Sequence, residues 1–371
     1  MVTESPTEIS SRAPTRVDLA GGTLDIWPLY LLTPQALTIN LGIDLFADVT
    51  LKASLPSPSE FKGPRIVLRS EDLGKEEELS WPELFEKEPI PALSLHTKLL
   101  RHFILNEARY PERLKKFNLT LTTRALSPSG AGLGGSSALA VALIGALFAW
   151  VKGRSPIIEE EGEALIKIAR DVETTVIQVP AGIQDYYGAM FGGLQLLKWG
   201  TGHHTRRKLD PDVTTEIQKR LMLFYSGQSR NSGINNWALT KDFIDNKPDT
   251  DVRARFAKIA AATVKLEHAL EAQDWPAARL AIAEEWDTRR TLAAGISTPE
   301  MNQAFQEAQK IHPMAQKICG AGGGGCFFVF LDQPISESMS LQLKAHFQAY
   351  GMRHLPFQGV HGGLDIRVSR A

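Results

Sequence analysis

Apolar residues follow two rhythms along this chain of 371 amino acids. In ALTINLGIDLFADVTLKASL, residues 36–55, apolar positions alternate with polar and β-branched ones. A period of two sends successive side chains to opposite faces, which predicts strand. PRIVLRS (64–70) and FNLTLTTRAL (117–126) read the same way. In EEEGEALIKIARDVETTVI (159–177) the apolar spacing changes to about 3.6, which predicts a helix. MFGGLQLLKW (190–199) and RLMLFYSGQS (220–229) return to strand. Residues 250–286 are Ala-rich with charges on one face and read as paired amphipathic helices. AQKICGAGGGGCFFVFL (315–331) ends in an apolar strand, and GLDIRVS (363–369) is a closing strand. Helices and strands are mixed without strict βαβ alternation, which favours an α+β fold over a doubly wound sheet. The composition changes at GTGHHTRRKLDPD (200–212), so two domains are expected, residues 1–205 and 206–371.

Charge narrows the partners. The formal net charge is −1, which argues against a nucleic-acid footprint. The one dense basic stretch, residues 203–208, reads as a solvated loop. Cys319 and Cys326 flank a glycine run and form no metal-ligand pattern, so a reduced, cytoplasmic protein is expected. The N-terminus has acids and no apolar core, unlike a signal peptide. The longest apolar run, 138–151, is short for a bilayer and reads as a core helix, so no membrane partner is expected.

One segment asks for a chemical explanation. SPSGAGLGGSSALAVAL, residues 127–143, places glycines and serines after a predicted strand and before an apolar helix. Consecutive backbone N–H groups at a helix start form an anion site, strengthened by the helix dipole. Glycines let that backbone approach phosphates closely. A Walker A loop fails for want of its lysine. Gly130-x-Gly132-x-x-Gly135 meets the dinucleotide fingerprint, but the following segment, 157–177, is a charged helix instead of a second strand. The catalytic loops of protein kinases are missing. An ordinary turn capping a core helix is the plain alternative.

Two further stretches join this one: SRAPTRVDLAGGTLDIWPLY (11–30) and KICGAGGGGCFFVF (317–330). Together the three resemble, in order, the signature motifs of the GHMP kinases, and the resemblance spans essentially the whole chain. GIQDYYGAMFGG (182–193), YSGQSRNS (225–232) and EEWDTRRTLAAGIS (284–297) resemble the heptose 7-phosphate kinase type of that family. The resemblance implies an N-terminal domain like ribosomal protein S5 domain 2 and a ferredoxin-like C-terminal domain, with the site between them. It also implies a kinase using ATP and Mg²⁺ to phosphorylate a hydroxyl, expected to be the anomeric one, of a sugar or sugar phosphate. The sequence departs from the type at Ala20-Gly21-Gly22-Thr23-Leu24-Asp25, where the type has Ala-Gly-Gly-Gly-Thr-Asp.

Residue roles follow from the same resemblance. Pro128, Ser129, Gly130, Ala131, Gly132, Leu133, Gly134, Gly135, Ser136 and Ser137 match the nucleotide cradle. Ser136 and Glu173 match the metal ligands, with Asp171 a rival for Glu173, and a surface acid on an amphipathic helix is the plainer reading of Glu173. Asp185 matches the catalytic base, otherwise an Asx turn cap, and Arg16 matches its cationic partner, otherwise a salt-bridge residue in a buried strand. Asp25, Thr23, Gly22, Gly322 and Gly323 match the acceptor site, Asp25 being otherwise a helix N-cap. Trp27 reads either as a sugar-stacking ring or as core. Arg12, Arg230, Arg289 and Arg290 are candidates for a phosphate on the acceptor. A mevalonate-type kinase, kept open by Leu24 and Trp27, and a non-catalytic ligand sensor remain as alternatives.

Overall fold

The computed structural model describes residues 7–57, 63–228, 233–245 and 251–370. The chain opens with β1 (Thr7–Ala20), α1 (Leu29–Leu32), β2 (Leu37–Ser54), β3 (Arg65–Ser70) and β4 (Lys75–Ser80). The helices α2 (Trp81–Glu86), α3 (Ser94–His102) and α4 (Pro111–Leu114) lead to β5 (Asn118–Ala125). Then come α5 (Gly135–Lys152), α6 (Ile158–Ile177), α7 (Gln184–Phe191), β6 (Leu194–Lys198) and β7 (Thr205–Lys208). α8 (Pro211–Gln218) and β8 (Leu221–Tyr225) precede four helices, α9 (Gly233–Asp245), α10 (Val252–Glu271), α11 (Trp275–Arg289) and α12 (Pro299–Ile311). The chain closes with β9 (Ala315–Ile318), β10 (Cys326–Phe330), α13 (Glu337–Ala349), β11 (Arg353–Leu355) and β12 (Asp365–Arg370).

The alternating segment at 36–55 forms one strand of 18 residues, and its length organises the larger sheet. One edge of β2 pairs with β1; the other is shared, Leu37–Leu41 pairing with β6 and Ala47–Ser54 with β5. The order is β12-β1-β2-β5-β3-β4, with β6 and β7 beside the first half of β2. The composition change at 200–212 marks the β6–β7 hairpin. Both β7 and the C-terminal β12 belong to this sheet, so its chain runs past the boundary expected at 205/206. The strand expected at 190–199 begins only at Leu194, because Met190 and Phe191 finish α7 and the backbone turns at Gly192 and Gly193.

The smaller sheet has the order β11-β8-β10-β9. Its chain sequence, β8, helices, the β9–β10 hairpin, α13 and β11, is the ferredoxin-like arrangement. β10 is buried along its whole length, which explains why CFFVF has no polar alternation. Phe327 and Val329 enter the core that contains Phe224, Phe305 and Phe347; Cys326, Phe328 and Phe330 enter the core shared with α10 and α11. The Phe224 ring lies 5.4 Å from Phe327 and 4.6 Å from Phe347.

α5 is apolar all round because it is covered all round, by β1 and β2 and by α6 and α7. By length and composition it could cross a membrane; in the fold it is the central helix of the larger layer.

A fully buried ion pair joins the two sheets. Lys317 of β9 donates to the Asp18 carboxylate of β1 at 2.8 Å and to the Asp18 carbonyl at 2.9 Å. Burial by itself would raise the Asp18 carboxyl, but Lys317, with Arg289 and Arg16, holds it below its ordinary range. Lys317→Met strands that carboxylate and is expected to lower stability by about 3–5 kcal/mol, with Asp18→Asn/Lys317→Met recovering part of the loss. Urea unfolding of the two variants checks this; a Lys317→Met midpoint equal to wild type contradicts it.

Candidate active site

The glycine loop leaves β5 and enters α5 at Gly134, whose φ of +73° is left-handed. Glycine is needed there twice over. A Cβ would be strained at that φ and would lie 3.2 Å from the Asp185 side chain. At Gly135 a Cβ would meet the Ser127 hydroxyl at 2.6 Å, so Ser127 fills the space a side chain would take.

The loop is anchored through its carbonyls. Leu133 O accepts from the Arg16 backbone at 3.0 Å, Gly132 O from the Arg16 guanidinium at 2.7 Å, and Ala131 O from Cys326 of β10 at 2.7 Å. Gly325 packs against the same strip; a Cβ there would sit 2.7 Å from Ala131 O. No side chain caps the start of α5, and Gly134 to Ser137 line a cleft of about 620 Å³. Backbone donors at a helix start beside an open cleft are suited to an anion.

Asp185 sits in the first turn of α7, facing that helix start. Arg16 donates to a single oxygen of it, Oδ1, from Nε at 2.8 Å and Nη2 at 2.5 Å, leaving Oδ2 outside the fork. Burial opposes the guanidinium charge, but Asp185 and Asp18 more than offset it. Arg16 is thus the buried salt-bridge residue of the plain reading and a neighbour of the glycine loop as well.

Glu173 and Asp171, rivals in the sequence, lie in different surroundings. The Asp171 side chain is 66 % exposed and pairs with Arg170. Glu173 is buried and lines the cleft. It accepts from the Tyr186 hydroxyl at 2.6 Å and the Ser137 hydroxyl at 3.3 Å, and Ser136 also bonds to it. Burial pushes its carboxyl up, against the opposing effect of these hydroxyls. A buried carboxylate whose bonded partners are hydroxyls suits Mg²⁺, which takes one or two carboxylates and completes its shell with phosphate oxygens and water. Among the described residues there is no cluster of three His, Cys, Asp or Glu to hold a metal unaided. Tyr186 had no place in the sequence reading; its position next to Asp185 was the available signal.

The N-terminal motif forms a further stretch of the wall. Gly22, Thr23, Asp25 and Ile26 line the cleft. Asp25 is buried and accepts from the Gln184 backbone at 2.9 Å, so it caps α7 from a distant part of the chain. Burial, with the nearby charge of Asp185, raises its carboxyl to about 6. Leu24 is fully buried in the core, whereas Trp27 is 65 % exposed and does not line the cleft, so neither reading of Trp27 describes it. From the third motif Gly320 and Ala321 line the cleft. Gly322 and Gly323, expected at the acceptor, instead pack on Ile296, whose carbonyl accepts from Gly323 at 2.8 Å.

The candidate phosphate-binding arginines are otherwise engaged. Arg12 pairs with Asp48 on the larger sheet and Arg290 with Asp287. Arg289 is buried and paired with Glu285. Arg230 lies outside the described residues.

Residues 96–193 match the GHMP kinases N terminal domain and residues 266–349 the GHMP kinases C terminal domain. The chain belongs to the GHMP kinase family, and it is a kinase that phosphorylates a hydroxyl group. It is 25 % identical to the D-glycero-alpha-D-manno-heptose 7-phosphate kinase of Campylobacter jejuni, over 87 % of this chain and 89 % of that protein. It is equally 25 % identical to a mevalonate kinase of Arabidopsis thaliana, over 87 % of this chain and 91 % of the relative. In fold it resembles a D-glycero-D-manno-heptose 1-phosphate kinase from Bacteroides thetaiotaomicron, with a TM-score of 0.70, 20 % identity and coverage of 97 % and 98 %.

The Asp25 environment generates a pH prediction. Its carboxyl rises from 3.8 to about 6 on folding, so the folded chain holds this proton more tightly than the unfolded chain. Its contribution is complete below about pH 4 and is lost as pH rises through 6. Asp25→Asn, which cannot ionise, is expected to gain on wild type by up to about 3 kcal/mol across that range. Thermal melts at pH 4.5 and 7.5 test this. The variant's advantage should be larger at the higher pH; an advantage independent of pH contradicts it.

Proposed function

We propose that this kinase transfers the γ-phosphate of ATP, with Mg²⁺, to a hydroxyl of a sugar or sugar phosphate, the anomeric hydroxyl being the expected acceptor. The observation that carries the reading is Asp185, held by Arg16 beside the start of α5 and close to Asp25. A phosphate cradle and a fixed carboxylate on one cleft are what phosphoryl transfer requires.

The amides from Ser129 to Ser137 take the phosphates, with Pro128 starting the turn. Asp185 Oδ2 takes the acceptor proton as the acceptor oxygen bonds the γ-phosphorus and the bond to the β-γ bridging oxygen breaks, releasing ADP. Arg16 keeps Asp185 oriented and places positive charge next to the reacting centre. Ser136 and Glu173 would hold Mg²⁺, which neutralises phosphate charge. Asp25, Thr23 and Gly22 face the acceptor.

Two considerations favour a polyhydroxy acceptor over mevalonate. Leu24, one of the two apolar residues that kept a methyl-bearing acceptor open, is in the core. Trp27, the other, does not line the cleft. A ligand sensor would have no use for the Arg16–Asp185 pair.

The test is an ADP-release panel of heptose 7-phosphate, mannose, fucose, galactose and mevalonate. A site that pairs buried hydroxyls rejects analogues lacking them by roughly 10⁴-fold, so kcat/KM should separate sharply in favour of a sugar or sugar phosphate. Phosphorus NMR should find the new phosphate on C1. Mevalonate outperforming every sugar overturns the acceptor, and undiminished turnover in excess EDTA overturns the metal.

A further inference from the structure

Thr23 has a φ of +75°, in the left-handed region, although it is β-branched. That conformation costs on the order of 1–3 kcal/mol and persists only where the surroundings enforce it. The surroundings come from the other half of the chain. Arg289, at the end of α11, donates to the Gly22 carbonyl at 2.7 Å and to the Thr23 hydroxyl at 3.3 Å. One turn earlier on the same helix, Glu285 accepts from the Gly21 amide at 3.1 Å. The two side chains pair with each other at 2.6 Å and are both buried. One ion pair therefore grips three consecutive residues of the loop that ends at Asp25.

Arg289 itself does not line the cleft, whereas Gly22, Thr23 and Asp25 do. Asp25 in turn caps α7, the helix that carries Asp185. The grip thus reaches the acceptor wall directly and the base through one further contact. A buried ion pair is a poor source of net stability, because desolvation offsets most of its attraction. Its geometric effect here is specific: a planar fork fixes the Gly22 carbonyl and the adjacent Thr23 hydroxyl together.

We propose that Arg289 and Glu285 are positioning residues for the acceptor, holding Gly21, Gly22 and Thr23 in the conformation that presents Thr23 and Asp25 to the cleft. This rests on the acceptor lying at Thr23 and Asp25. Displacing that wall by a fraction of an ångström weakens acceptor alignment and leaves the cradle of α5 in place.

The experiment compares wild type with Arg289→Lys, Arg289→Met, Glu285→Gln/Arg289→Met and Asp25→Asn, using the full chain. Heptose 7-phosphate is the acceptor, or the sugar that leads the panel in its place. Arg289→Lys keeps a cation for Glu285 and loses the fork; the double variant removes both charges and so leaves none unpaired. KM for acceptor, KM for ATP, kcat and Tm are measured for each. Misplacement of an acceptor wall costs about ten- to a hundredfold in acceptor kcat/KM, while KM for ATP should stay within about twofold. The double variant should recover Tm relative to Arg289→Met and still show the acceptor defect. If the folded variants change acceptor and ATP constants alike, or change neither, the pair is structural only and the proposal fails. If Asp25→Asn impairs acceptor use and the Arg289 variants do not, the proposal alone fails. If Asp25→Asn also leaves acceptor use intact, the acceptor-site reading fails first.

Discussion

A single arginine side chain ties together the parts that must be in register. Arg16 is buried in β1, donates to Gly132 of the glycine loop and forks onto one oxygen of Asp185. The loop arises from β5 and α5, and Asp185 from α7, so three separate segments meet at one guanidinium. Its planar fork fixes direction as well as distance, which a flexible ammonium could not do as well. Gly134 makes the same demand from the other side, since any side chain there would press on Asp185. The spacing between the start of α5 and the Asp185 carboxylate is set by these two contacts.

The C-terminal half supports this centre from behind. Cys326 and Gly325 hold one strip of the glycine loop, Lys317 neutralises Asp18 of the N-terminal motif, and Arg289 holds Gly22 and Thr23 of the same motif. The two sheets therefore share one polar seam, which runs along the cleft. This also explains why the C-terminal glycine run stands directly ahead of a fully buried strand: β10 fixes the run against Ala131 while its phenylalanines fill the core.

Much of this was legible in the sequence where a local pattern determined the outcome. The long alternation at 36–55, the 3.6-residue spacing of α6 and the Ala-rich pair α10 and α11 follow from periodicity alone. The glycine loop was legible because no core requires so many glycines before an apolar helix. What escaped depended on contacts between distant segments. The composition change at 200–212 marked a hairpin, because strand pairing, and not composition, decides which sheet β7 and β12 join. Asp25 as the cap of α7, Tyr186 on Glu173, and Arg289 under Thr23 join residues that no spacing rule connects. Gly322 and Gly323 were expected at the acceptor with their neighbours, but the run turns at that point and they meet Ile296.

The central claim is that Arg16 and Asp185 act on one transition state as a unit. A double-mutant cycle of Arg16→Met and Asp185→Asn, read in kcat with folding checked by Tm, tests it most directly. Each single change is expected to lower kcat by about 10²–10⁴, and the double variant should be little worse than the weaker single one. Losses that multiply in the double variant, or an Asp185→Asn enzyme that keeps near-full kcat while folded, would contradict it.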